Sequence, residues 1–217
     1  MWFMLAITTV IIGLALFISA GTENYWQAWV YLGVVVVTGI LITLYTVKDP
    51  ILLESRTKVG PTAEQRPMQK IILWCMALPW IALFIIPGLD HRFGWSSVPS
   101  WISIAGNLLI VLSMWLVYRV FKVNSFGSAT VEVTNKQKVI STGPYAIVRN
   151  PMYSIAVVYC IAMSLALGSC WALIPSVLVA LGFIWRLFDE EKMLAKDLPG
   201  YTEYQAKVRW HLIPGIF

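Results

Sequence analysis

Charge is scarce in this chain: 12% of its 217 residues are Asp, Glu, Lys or Arg, against 59% hydrophobic residues. A soluble domain carries about twice that share of charge, so the composition excludes a water-soluble enzyme and implies a membrane protein. The runs 2–20, 25–47, 71–89 and 101–118 contain no charged residue, and each is near the ~20 residues that cross a bilayer core. A basic leader and a small-residue cleavage site are missing before Glu23, so 2–20 is read as a retained helix. Cysteine is rare too. Cys75, Cys160 and Cys170 are odd in number and lack ligand spacing, which argues against a disulfide framework and a zinc site. The two histidines, His91 and His211, lie far apart and offer no metal cluster. No GxGxxG or Walker A sequence and no strand-helix alternation is present, which excludes a Rossmann-type nucleotide domain. A Ser-His-Asp signature is likewise missing.

What is present is a long uncharged run, 152–185. As one helix it would measure about 51 Å, too long for a ~30 Å hydrocarbon core. Gly168-Ser169 offers a turn near its middle, so the run is read as a helical hairpin of about 152–167 and 171–188. The fold class is therefore all-α and polytopic, with six spans in a single membrane domain, 1–217. Within it, 1–121 holds four spans and 122–217 holds the chemistry. Of the 16 Lys and Arg, only Arg92 falls in a segment placed outside. The positive-inside rule then puts both termini in the cytoplasm. The net charge of +5 reflects this sorting and attraction to acidic membrane lipids, not nucleic acid. No obligate protein partner is implied.

A hairpin brings its two ends to one side, and both ends are polar. At the entrance, in "GPYAIVRNPMY", Asn150 suits an N-cap and Pro151 the first helical position. The helix start favours an anion, and Arg149 adds a bidentate donor fork. An interfacial helix end with a cytoplasmic arginine explains the same residues. At the exit, "WRLFDEEKML" places three acids after an apolar span, where they oppose the helix dipole unless the helix continues or a cation faces them. Past Pro199-Gly200, Tyr201 and Tyr204 share a helical face, suited either to anchoring at the interface or to stacking on a flat ring. Upstream, "KDPILLESRTK" is an amphipathic interfacial segment.

The stretches "VISTGPYAIVRNPMY", "GSCWALIP" and "DEEKMLAKDLPGYTEYQAKVRWHLIPGIF" together resemble the isoprenylcysteine carboxyl methyltransferase and phospholipid methyltransferase group of membrane enzymes. "DPILLESR" and "VNSFGSATVEV" are similar to upstream parts of its bacterial members, which suggests a bacterial cytoplasmic membrane. The resemblance implies methyl transfer from S-adenosyl-L-methionine to a lipophilic or prenylated acceptor that enters from the lipid. It places Tyr145, Arg149, Asn150, Pro151, Tyr153, Glu190, Glu191, Tyr201 and Tyr204 around the cofactor, with Arg149, Asn150 and Glu190 nearest the chemistry. Arg56, Asn124 and Arg209 are its candidate acceptor contacts; no metal is implied. Asn150 stands where the family usually has histidine. Asparagine takes no proton at neutral pH, so the expected acceptor is already ionised, an acid or a thiolate-like group. Two other readings remain open: a sterol-reductase-like enzyme using NADPH, and a small transporter or scaffold. The first would need more basic residues for its phosphates, and the second would place charge near the midplane of its spans.

Overall fold

The computed structural model describes residues 1–57, 60, 62, 64, 66–124 and 139–217, with the side chains of 55–57 outside the description. The described residues form helices and no strands. In chain order these are α1 (Trp2–Ala20), α2 (Trp26–Thr46), α3 (Pro50–Thr57), α4 (Pro67–Phe93), α5 (Ser100–Val123), α6 (Pro151–Ala166), α7 (Leu173–Asp197) and α8 (Tyr201–Lys207), with a 3₁₀ turn at Gly143–Ala146 before α6. Helices α1, α2, α4 and α5 are long and apolar enough to cross a membrane, and α6 is a shorter apolar helix.

The bundle is built inside out relative to a soluble protein. Leu78 is 75% exposed and Leu108 65%, whereas Ser103, Ser164 and Ser176 are fully buried. Apolar side chains facing lipid gain nothing by moving inward, so close packing and interhelical hydrogen bonds hold the helices together. The Ser164 and Ser176 hydroxyls lie 2.7 Å apart between α6 and α7, and the Tyr31 hydroxyl of α2 donates to Met163 Sδ at 3.0 Å. Gly106 of α5 lets α6 approach closely: a Cβ there would meet Ala166 N at 2.5 Å and Ala162 O at 2.8 Å.

The hairpin expected at 152–188 is present. Gly168, at φ 72°, allows the turn between α6 and α7, a backbone conformation costly for any residue with a Cβ. Partners run in opposite directions along the pair: 150 meets 191, 153 meets 186, and 164 meets 176. The second arm extends beyond the expected 188, with α7 running unbroken to Asp197. The three acids are therefore mid-helix, which removes the dipole conflict. At the end of the bundle holding this turn, Asp90 accepts from the Ser169 hydroxyl and from Ser96 N at 2.6 Å. Tyr25 donates to Leu167 O at 2.6 Å. Both mouths of the hairpin thus lie at the other end. Cys75, Cys160 and Cys170 are all free thiols.

Gly106→Ala should destabilise the protein by about 1–3 kcal/mol through overpacking, read as thermal unfolding in detergent. Gly33→Ala, where an added Cβ meets nothing within 4 Å, should stay within about 0.5 kcal/mol of wild type. Equal stability of the two variants would contradict the α5–α6 contact.

Candidate functional site

Three chain segments converge where the hairpin closes. The backbone links two of them first: Arg149 N donates to Trp210 O at 2.8 Å and Asn150 N to His211 O at 3.1 Å. Ser154 Oγ adds a bond to Leu212 O at 2.7 Å. The tail after α8 is therefore pinned along the start of α6, and α7 supplies the third wall.

The centre is Glu191, a carboxylate only 5% exposed. Its Oε1 accepts from Asn150 Nδ2 at 2.6 Å and pairs with Arg149 Nε at 3.1 Å and His211 Nδ1 at 3.2 Å. Gln205 Nε2 donates to Oε2 at 3.4 Å. Arg149 Nε is close enough for the ion pair but makes no hydrogen bond, so the fork keeps donor capacity. Arg149 Nη2 lies 2.6 and 2.7 Å from the two ring nitrogens of His211. A guanidinium only donates, so it bonds whichever nitrogen is unprotonated. Phe217 stacks on the same imidazole at 5.0 Å and Phe188 meets it edge-on at 5.4 Å.

A second chain of polar contacts runs beside the first. The Tyr153 hydroxyl donates to Glu190 Oε2 at 2.6 Å and accepts from Arg186 Nε at 3.1 Å. Arg186 Nη2 pairs with buried Glu64 at 3.3 Å. Arg66 pairs with Asp189 at 3.0 Å, and Gln69 donates to the same carboxylate at 2.6 Å. Arg186 and Glu190, one helical turn apart, thus meet through Tyr153 of the facing helix. Glu190 lies beyond the apolar part of α7. Burial raises its pKa above 4.5, the nearby Glu191 and Glu64 add to this, and the Tyr153 bond and Arg186 oppose it.

The other expected site residues are distributed unevenly. Asn150 occupies the N-cap position of α6 but makes no side-chain cap bond; its amide is spent on Glu191, an ionised acceptor and the stronger partner. Pro151 stands at the first helical position as expected. Tyr201 and Tyr204 are 5% and 4% exposed, packed with Leu194, Leu198 and Val208 against Tyr145. Their rings are tilted at 5.7 Å, and the Tyr204 hydroxyl donates to Tyr145 O at 2.7 Å. Burial and neighbouring Glu191 push the Tyr201 phenol up, and burial does the same for Tyr204. Asn124 Nδ2 donates to the Tyr145 hydroxyl at 2.8 Å, which ties it to this cluster. Arg209 is exposed, one residue before the pinned backbone. The Arg56 side chain and all of "VNSFGSATVEV" after Asn124 lie outside the described residues. His211, Gln205 and Glu64 were not anticipated. The signal for His211 was its place in the tail, which had to fold back near Arg149. Among the described residues no group of His, Cys, Asp and Glu is arranged to hold a metal.

Residues 101–199 match the phospholipid methyltransferase family. The matched segment runs from α5 through the hairpin and just past α7. It includes Arg149, Asn150, Tyr153, Glu190 and Glu191 and stops before Tyr201, Tyr204 and His211. This agrees with the resemblance drawn from the motifs. The described residues include four helices long and apolar enough to cross a membrane, and the matched segment points to methyl transfer on lipid-like molecules. No curated protein matches the chain significantly.

Because Glu190 takes up its proton more readily when folded, the folded state binds more protons than the unfolded one between 4.5 and the raised value. Its contribution to stability is therefore present at low pH and lost as pH rises through that window. The melting temperature of wild type relative to Glu190→Gln should fall as pH rises across it and level off above. A difference independent of pH would contradict the burial of this carboxyl.

Proposed function

We propose that the protein transfers a methyl group from S-adenosyl-L-methionine to a lipophilic acceptor at this polar junction. The observation that carries the reading is Glu191 gathering Arg149 and Asn150 from the start of α6 and His211 from the tail, inside a methyltransferase-family segment. The donor carries a carboxylate, an ammonium, a sulfonium and an adenine ring. The residues present fit the first three of these groups. Arg149, with its buried Nε outside any hydrogen bond, and the α6 start suit the carboxylate. Glu190 and Glu191 suit the ammonium or ribose and the Tyr153 ring suits the sulfonium side, while Tyr201 and Tyr204, packed against Leu194, Leu198 and Val208, back the site and offer the adenine no open face. When bound, the cofactor supplies an electrophilic methyl group. The protein's part is to hold the reacting groups in line and exclude water.

In this reading the site faces the cytoplasm together with both termini, because the basic residues gather at that end and Arg92 at the other. Arg56, Asn124 and Arg209 are the proposed contacts for an acceptor arriving from lipid.

Calorimetric titration of the purified protein with S-adenosylhomocysteine tests the reading. Wild type should bind. Arg149→Ala should weaken binding about tenfold or more, the worth of a charge-assisted hydrogen bond, and Glu190→Gln should weaken it as well. No heat from folded wild type would overturn the methyltransferase assignment. Unchanged affinity in both variants would overturn the site.

A further inference from the structure

Resting on that reading, we propose that His211 is the proton acceptor of the site, oriented by Glu191, and that the methyl acceptor is a protic group, an amine or a hydroxyl, on a lipophilic molecule. Three observations carry this. Glu191 Oε1 is 3.2 Å from Nδ1 of the ring, and a carboxylate can only accept there, which fixes the proton on Nδ1. That leaves Nε2 with its lone pair for an incoming N–H or O–H; Arg149 Nη2, 2.6 Å from Nε2 and 2.7 Å from Nδ1, lies between the two nitrogens and off that lone-pair direction. Phe217 and Phe188 hold the plane of the ring, so the lone pair has a set direction. A base held by a second group that fixes its tautomer is the arrangement that proton abstraction requires.

The charged neighbours that bear on the ring are Arg149, ahead of α6, and Glu191 on α7. Arg209 is nearby in the tail sequence and exposed. The proton of the acceptor passes to Nε2, and the freed electron pair forms the bond to the methyl carbon. The C–S bond breaks with its electrons going to sulfur, and the positive charge of the sulfonium ends as an imidazolium beside Glu191. The expectation of an already ionised acceptor rested on the lack of an imidazole at position 150. His211 brings one to the same carboxylate from the tail.

With only two histidines in the chain, ¹⁵N-histidine NMR of the detergent-solubilised protein reads this directly, and His91→Gln assigns the signals. The neutral imidazole of His211 should carry its proton on Nδ1, and Glu191→Gln should shift it toward the Nε2–H tautomer. An Nε2–H tautomer in wild type would overturn the proposal. In transfer of labelled methyl groups into a total membrane lipid extract, His211→Gln should lower the rate about 100-fold or more and remove the rising limb of the pH profile. Its affinity for S-adenosylhomocysteine should change less than about threefold. Binding and transfer with an unchanged rate and profile in His211→Gln would overturn the proton-acceptor role while leaving the methyltransferase reading intact. Failure of wild type to bind S-adenosylhomocysteine would overturn that reading instead.

Discussion

One buried carboxylate decides the arrangement of the polar end of this bundle. Glu191 accepts from Asn150, pairs with Arg149 and His211, and receives Gln205. An ionised group in so little solvent is tolerable only with such partners, and removing one partner of a buried pair costs about 3–5 kcal/mol. The requirement runs both ways. Glu191 needs the start of α6 and the tail beside it, and Arg149 and His211 have their places because Glu191 is there. None of this is possible unless α7 returns to the level where α6 began, which the turn at Gly168 achieves.

The two ends of the bundle do different work. Around the turn, Asp90, Ser169, Ser96 and Tyr25 form neutral or singly charged contacts that tie α2, α4 and the hairpin together. At the opposite end ion pairs and hydrogen bonds run in chains, from Glu64 through Arg186 and Tyr153 to Glu190, and from Glu191 to Arg149 and His211. Between them lie packed small residues and hydroxyls that let helices approach without charge in the apolar layer. Rigid packing in the middle gives the charged end a fixed frame, and positioning of that kind is what an in-line transfer demands.

Much of this was legible in the sequence because it follows from length and hydropathy. The run 152–185 exceeds a bilayer thickness and contains Gly168, so a hairpin is the available solution, and a hairpin places Arg149 near Glu190 and Glu191. Local rules did less well where a distant partner outbid them. Asn150 has the residue type and position of a capping side chain, yet its amide goes to a carboxylate 41 residues away. His211 carried no local signal, since it is placed by backbone bonds from Arg149 and Asn150 to the tail, pairings with no periodicity to read. The i,i+3 spacing of Tyr201 and Tyr204 predicts a shared face, and that face is turned into a small core with Leu194 and Leu198. Glu64 and Gln69 belong to a loop and a helix start whose partners on α7 no spacing rule could name.

The central claim is that the entrance and exit of the hairpin share one side of the membrane. Cysteines placed at the exposed positions Ile147 and Lys192, each in a background lacking Cys75, can be labelled in sealed vesicles of known orientation with a reagent that does not cross lipid. Native Cys170, exposed at the turn, serves as the reference. The structure predicts that positions 147 and 192 react from the same side and Cys170 from the other. Reaction of 147 and 192 from opposite sides would contradict it.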